Sequence, residues 1–274
     1  MSSIVVHSGS RTLLLLHLLS FLSFAMSQNY LYNFCPSDQN NNASGQYMFN
    51  VGRLFDQKLY DGVNKSIDFG EDPDKVYGLY LSRFDDTQET CQNCIASATD
   101  TLVDKCKSNK IAITWFDECM VRYSNRSFSS TLESNPAFYM WNVVNVTQPD
   151  EFAEILKQTL NKAIAMLSSS NYGIQNVSIS NNETLYSLVQ CLPGLSTEDC
   201  RACLNDAVDR VLVLVQGKRG GRYLNPSCNT RYELYPFYGD SPSNNSGDTT
   251  PPIAAPAPTT PSSNSGKTGG EFIY

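Results

Sequence analysis

At 274 residues, with 41% hydrophobic and 17% charged residues, the chain is long enough for two cores of about a hundred residues each, a size at which domains fold alone. Its net charge of −7 argues against a nucleic-acid or anionic-membrane surface, since both need clustered cations. Both histidines, His7 and His17, lie in the N-terminal segment, so the remainder holds no Ser-His-Asp or Cys-His nucleophilic machinery and no histidine metal site.

Residues 1–27 read as a signal peptide. Arg11 precedes an apolar run from Leu13 to Phe24, and Ala25-Met26-Ser27 suits cleavage before Gln28. The run is short for a membrane span. Cleavage removes one arginine and no acid, so the mature chain becomes one unit more negative. The expected location is extracellular (the apoplast), an oxidising compartment in which paired cysteines become disulfides. Seven Asn-x-Ser/Thr sequons, at Asn42, Asn64, Asn125, Asn145, Asn176, Asn182 and Asn244, fit secretion, while Pro226 excludes Asn225.

The first domain is expected over 28–132. Gln28 to Cys35 is strand-like, and Phe49, Val51, Leu54, Phe55 and Leu59 approximate helical spacing up to Gly62. Tyr77 to Leu81 is rich in strand formers. Asp86 and Glu89 have capping-box spacing ahead of a helix with Cys91, Cys94, Ile95, Ala98 and Leu102 on one face. Ile111 to Trp115 and Met120 to Tyr123 read as an antiparallel pair, and Ser129 to Pro136 as a polar linker.

The second domain, 137–239, follows the same plan. A helix opens at Pro149-Asp150-Glu151 and presents Phe152, Ile155, Leu156, Ala163 and Leu167. Leu185 to Val189 is a strand, Ser196 and Asp199 start the helix carrying Cys200, Cys203, Leu204, Ala207 and Val211, and Tyr223-Leu224 and Thr230 to Tyr238 supply the last strands. Each unit is α+β, two helices laid on one face of a small antiparallel sheet. Residues 240–274, rich in Pro, Ser and Thr with no apolar period, are expected to be a disordered tail.

The two units are copies. Moving back 109 residues carries Cys200 onto Cys91, Cys203 onto Cys94, Cys228 onto Cys119, Arg231-Tyr232 onto Arg122-Tyr123 and Tyr186 onto Tyr77. The differences between copies assign the cysteines. Cys35 aligns with Val144 and Cys106 with Val215, and paired loss is what a disulfide predicts. Cys191 aligns with Ser82, which leaves Cys91 without its partner. The assignment is Cys35–Cys106, Cys94–Cys119, Cys191–Cys200 and Cys203–Cys228, with Cys91 a free thiol. Chain entropy gives roughly 4 kcal/mol for the Cys35–Cys106 loop and roughly 3 kcal/mol for Cys191–Cys200. Burial of the valine pair, worth roughly 1.5–3 kcal/mol per side chain, is expected to stand in for the missing crosslink. A zinc site at Cys91, Cys94, Cys106 and Cys119, or a thioredoxin-like redox pair, fits the secretory context less well. Cys91 reads as a small buried residue beside Ser82, with an intermolecular bridge or an oxidant-sensitive site as alternatives.

With two copies of this cysteine frame laid out, the chain resembles the plant cysteine-rich repeat proteins, which carry the ginkbilobin-homologous (stress-antifungal) domain in tandem. These occur as secreted proteins or as ectodomains of cysteine-rich receptor-like kinases. Gly217 to Arg222 followed by Pro226 to Tyr238 is highly specific to that family. The resemblance implies two helices against an antiparallel sheet with three disulfides per domain; Ser82, Val144 and Val215 depart from it. It also implies a mannose-binding site, built from an Asn after the first cysteine, an Arg six before the last and a Glu five after it. In the second copy those are Asn145, Arg222 and Glu233, and in the first Pro36, Ile113 and Ser124. An amide, a guanidinium and a carboxylate suit vicinal hydroxyls. A structural ion pair between Arg222 and Glu233 within the sheet is the preferred plainer reading, and a glycan on Asn145 would block the pocket.

No spacing singles out a glycosidase carboxylate pair among Glu198, Asp199 and Glu233. Gly217-Lys218-Arg219-Gly220-Gly221 lacks the spacing of a phosphate loop and reads as a turn. The expectation is a non-enzymatic recognition or defence protein with no cofactor or metal, whose partners are extracellular ectodomains or glycans. The alternative is an adaptor or a receptor-like kinase ectodomain cut short.

Overall fold

The computed structural model describes residues 29–36, 42–56, 64–167, 170–180, 182–239 and, for the backbone alone, 269–273. The expected signal segment, the helix end expected at Leu59 and Gly62, most of the tail and the Asn244 sequon lie outside these residues.

In the first copy the elements are β1 (Tyr30–Phe34), α1 (Gly45–Asp56), β2 (Asn64–Phe69), β3 (Val76–Ser82), α2 (Gln88–Lys105), β4 (Ala112–Phe116) and β5 (Cys119–Ser124). The second repeats them as β6 (Ala137–Trp141), α3 (Pro149–Ala165), β7 (Tyr172–Ser180), β8 (Glu183–Cys191), α4 (Thr197–Leu214), β9 (Gly220–Leu224) and β10 (Cys228–Glu233). Sheet order is β1-β4-β5-β3-β2 in one copy and β6-β9-β10-β8-β7 in the other, antiparallel throughout. The same sequence frame has produced the same topology twice.

The central strands are buried on both faces, and successive side chains enter different clusters, as a period of two requires. Val76 and Tyr80 of β3, with Ala112 and Phe116 of β4, pack under α1 and α2. Leu79 and Leu81, with Ile113 and Trp115, point the other way. There they meet Phe138 and Met140 of β6 and Leu224 of β9 in a third apolar cluster. Each sheet therefore carries helices on one face and the other copy on its second face, giving four layers, helix, sheet, sheet and helix. The second faces are buried, so the two copies share a core in addition to their own.

Four disulfides close, Cys35–Cys106, Cys94–Cys119, Cys191–Cys200 and Cys203–Cys228, and Cys91 is free and buried. The Val144 and Val215 reading needs correction. Val215 is 1% exposed, but Val144 is 52% exposed, because the chain after β6 runs over the surface there. What holds this segment is backbone pairing: Arg219 N–H donates to the Val144 carbonyl (3.0 Å) and Val146 N–H to the Gly217 carbonyl (2.8 Å). A buried tyrosine pins the same region in both copies. The Tyr232 hydroxyl donates to the Val215 and Lys218 carbonyls as Tyr123 donates to those of Cys106 and Asn109.

Four further readings change. The α2 cap is Thr87, whose side chain accepts from Thr90 N–H, while Asp86 ion-pairs with Arg83 instead; α4 is capped by Ser196 as expected. The last strand ends at Glu233 rather than Tyr238, since the chain folds back to set Phe237 on Arg231. The linker is packed, with Phe128 buried and Glu133 joined to Arg122 and to Ser227 Oγ. Within the tail, the backbone of Gly269–Ile273 forms β11, parallel to β6, because the outer edge of β6 offers unpaired N–H and C=O groups.

Candidate functional site at the domain junction

Arg222 and Arg231 face each other across β9 and β10, and Glu233 follows Arg231 on the same face. That face is the one turned to the first copy. Asp117, in the turn between β4 and β5, accepts from Arg222 and, at 3.0 Å, from Arg231. Arg231 also donates to Glu233 (3.1 Å) and to the Tyr235 hydroxyl (3.1 Å), and its guanidinium lies 4.2 Å from the Phe237 ring centroid. Arg222 and Glu233 are 6% and 0% exposed. Buried charges persist only when paired, and here Asp117 of one copy bridges two guanidiniums of the other, with Glu233 supplying the second carboxylate.

Asn145 lies elsewhere. It is exposed beyond the end of β6, bridged to Lys218, whose ammonium donates to its amide oxygen at 2.9 Å. The fold thus gathers Arg222 and Glu233 into the junction and sets Asn145 on the surface beside a lysine. Asp117 and Arg83 were missed because they align with Pro226 and Leu192 in the other copy, while Arg231 was read only as part of the repeated Arg-Tyr pair.

The rest of the junction is mixed. The Gln190 side-chain amide donates to the Ser82 carbonyl (2.9 Å), Phe84 stacks on Tyr172 with ring centroids 3.8 Å apart, and Gly239 N–H donates to Asp85 (3.1 Å). Arg83 holds Asp85 and Asp86. The cavity at this boundary, lined by Arg83, Trp115, Asp117, Arg222, Arg231 and Phe237, is about 50 Å³, well under the ~300 Å³ at which small-molecule pockets begin.

The electrostatics follow from this packing. Burial would raise the Asp117 carboxyl, but Arg222 and Arg231 outweigh it and hold the group well below the usual carboxylate range. Burial pushes Asp86 up to about 7, reinforced by Asp85 and Glu118 against the pull of Arg83. Glu118 is also raised, by burial and then by Asp117. The Cys91 thiol is pushed up to about 12 by burial, with Asp86 adding to it; a thiol so poised is a poor nucleophile.

Among the described residues no cluster of three or more His, Cys, Asp or Glu side chains is arranged to hold a metal ion, and no helix is long and apolar enough to cross a membrane. The five sequon asparagines with described side chains, Asn42, Asn125, Asn145, Asn176 and Asn182, are all exposed.

Comparison with known proteins agrees with this architecture. The chain is 35% identical over 214 residues to an antimicrobial ginkbilobin-2-like protein of Castanea crenata, covering 76% of this chain and 88% of that one. It is 33% identical to cysteine-rich repeat secretory protein 38 of Arabidopsis thaliana, covering 79% and 88%. Cysteine-rich receptor-like protein kinase 25 of the same plant is 34% identical over 83% of this chain, which spans only 36% of the kinase's length. The tandem DUF26 ectodomain of the Arabidopsis thaliana receptor-like protein PDLP8 shares the fold, with a TM-score of 0.66 at 19% identity over 76% of this chain and 99% of that one. The family model described as salt stress response/antifungal matches twice, at residues 34–126 and 141–235. With both copies matched in register and two relatives covered nearly end to end, the chain belongs to the salt stress response/antifungal family as a tandem member.

Proposed function

We propose that this chain is a secreted recognition protein of the extracellular defence class, which acts by binding and catalyses no reaction. The observation that carries this reading is the shared core. The inner faces of both sheets and the buried charges are used in joining the copies, leaving the outer helix layers, the loops and the sheet edges to meet a partner. Relatives of antimicrobial and repeat-secretory type support the location and the class. The test is to secrete the chain from a plant host and screen it against glycan and ectodomain arrays. Saturable binding without turnover of the bound ligand is expected, and turnover would overturn the reading.

The narrower ligand reading is a mannose-like sugar held by Asn145, Arg222 and Glu233. Such a sugar has to compete with Asp117 and Arg231 for two of the three groups. Saturable mannan binding lost in Asn145→Ala, a surface substitution, is the expected signature, and absence of saturable binding retires the site. The adaptor reading is favoured by exposed apolar side chains: Phe49 on α1, Val103 on α2, Val143 and Val144 after β6, and Val213 on α4. These lie on separate elements of both copies, so each is tested singly as an anchor. Under this reading Phe49→Asp or Val213→Asp lowers binding to a partner ectodomain about tenfold, the loss of one buried apolar anchor.

A further inference from the structure

The two sheets end differently on their hairpin side. In the first, the outer strand β2 (NKSIDF) carries the exposed Asp68, paired with Lys75, a charge of the kind that deters a second sheet from pairing. In the second, the outer strand β7 (YGIQNVSIS) is nine residues long and has no charged residue and no proline. Its Val177 and Ile179 pack toward the core, while Asn176, Ser178 and Ser180 form an exposed row. It pairs with β8 alone and ends its sheet. An uncharged, β-branched edge of this length is a template for another copy of itself, and a register shift between Ser178 and Ser180 is the one backbone irregularity along it.

This strand carries a sequon in its exposed row, Asn176-Val177-Ser178, and the turn that follows carries another, Asn182-Glu183-Thr184. Both asparagine side chains are exposed, and Asn176 sits opposite Tyr186 in the ladder. We propose that N-linked glycans on Asn176 and Asn182 are the guard of this edge, keeping β7 from pairing with β7 of a second copy of this chain. The donor is a lipid-linked pyrophosphate oligosaccharide. The asparagine amide nitrogen forms a bond to the anomeric carbon, the anomeric C–O bond to pyrophosphate breaks, and the lipid pyrophosphate leaves as the amide gives up a proton. The attached glycan is bulky and hydrated, and from the middle of the strand it bars a flat approach along the free ladder.

The inference presupposes passage through the secretory pathway. The test therefore starts with glycopeptide mapping of the chain secreted from a eukaryotic host. Glycan at Asn176 and Asn182 is expected. Glycan at Asn42 and Asn125 with none at Asn176 and Asn182, or no glycan anywhere, overturns the edge guard and leaves secretion standing, while failure of the chain to reach the medium overturns the secretory reading beneath it. Next, native endoglycosidase digestion and the Asn176→Gln/Asn182→Gln variant are compared by sedimentation. Each is expected to shift the chain from one to two or more chain masses as concentration rises, and Ser178→Lys on the glycan-free background is expected to return it to one. Glycan-free protein that stays at one chain mass, or association that Ser178→Lys leaves unchanged, overturns the proposal.

Discussion

The two copies share a topology, yet they meet on faces of opposite character. At matched positions the first copy presents Leu81, Ile113 and Trp115, and the second presents Gln190, Arg222 and Leu224. A duplicated module that kept identical inner faces would pack like on like. At these positions the first copy's face is apolar while the second holds Gln190 and Arg222, and a carboxylate at Asp117, where the second copy has Pro226, completes the match. One motif kept its sequence but changed partner. Arg122 lies 3.9 Å from the Phe128 ring centroid as Arg231 lies over Phe237, but Arg122 is paired with Glu133 of the linker and Arg231 with Asp117 across the junction. Divergence on a common frame is therefore what turned two domains into one body.

The crosslinks offer the sharpest way to break this comparison. Cys35→Ser with Cys106→Ser is expected to cost roughly 4 kcal/mol, measured by urea unfolding. The reciprocal Val144→Cys with Val215→Cys is expected to form a disulfide and to stabilise by at most that amount, since backbone pairing and Tyr232 already hold the segment. Trp115→Ala removes the largest apolar side chain of the shared core and is expected to cost roughly 3–5 kcal/mol. Its unfolding should split into two transitions as the copies uncouple.

Asp117→Asn leaves Arg222 without its carboxylate and Arg231 with Glu233 alone, and is expected to cost about 3 kcal/mol. Its pH signature has a definite sign. The folded pKa is depressed, so the contribution of Asp117 is complete above the unfolded carboxylate value near ~4 and is lost as pH falls below it. Acid unfolding should begin there and flatten in the variant. Asp86 has the opposite sign. Its folded pKa is raised to about 7, so the folded state binds the extra proton and stability declines as pH rises from ~4 to about 7. Asp86→Asn should remove that slope and stabilise at neutral pH.

The smallest effect concerns Cys91. Buried, and with its thiol pushed up to about 12, it is expected to resist alkylation in the native state and to react as one equivalent after denaturation. Cys91→Ala should cost about 1 kcal/mol, read by thermal unfolding.

Much of each domain was legible in the linear chain. Cys91, Cys94, Ile95, Ala98 and Leu102 fall on one helical face and are all buried, because an α-helix fixes which residues share a side. Ser196 capped its helix for a reason confined to three neighbouring residues. Thr87 displaced Asp86 as a cap because Arg83, three residues upstream, held the carboxylate. β7 was unforeseen since its exposed row is Asn and Ser, which signals turns as readily as strand. Of the candidate sugar site, the residue types were readable and their surroundings were not. Arg222 and Glu233 look available in sequence, yet Arg222 is buried against Asp117, 105 residues away, and Glu233 is buried against Arg231.

The amino-acid sequence by itself determined the duplication, the helices and central strands of each copy, and the comparison that paired the cysteines. These depend on residue periodicity and on substitutions that lie in register. The tertiary structure decided which sheet face meets which, that Asp117 binds two arginines, that Val144 stays at the surface, and that β7 ends its sheet. Those outcomes depend on how one folded surface fits another, and no local period or spacing encodes that fit.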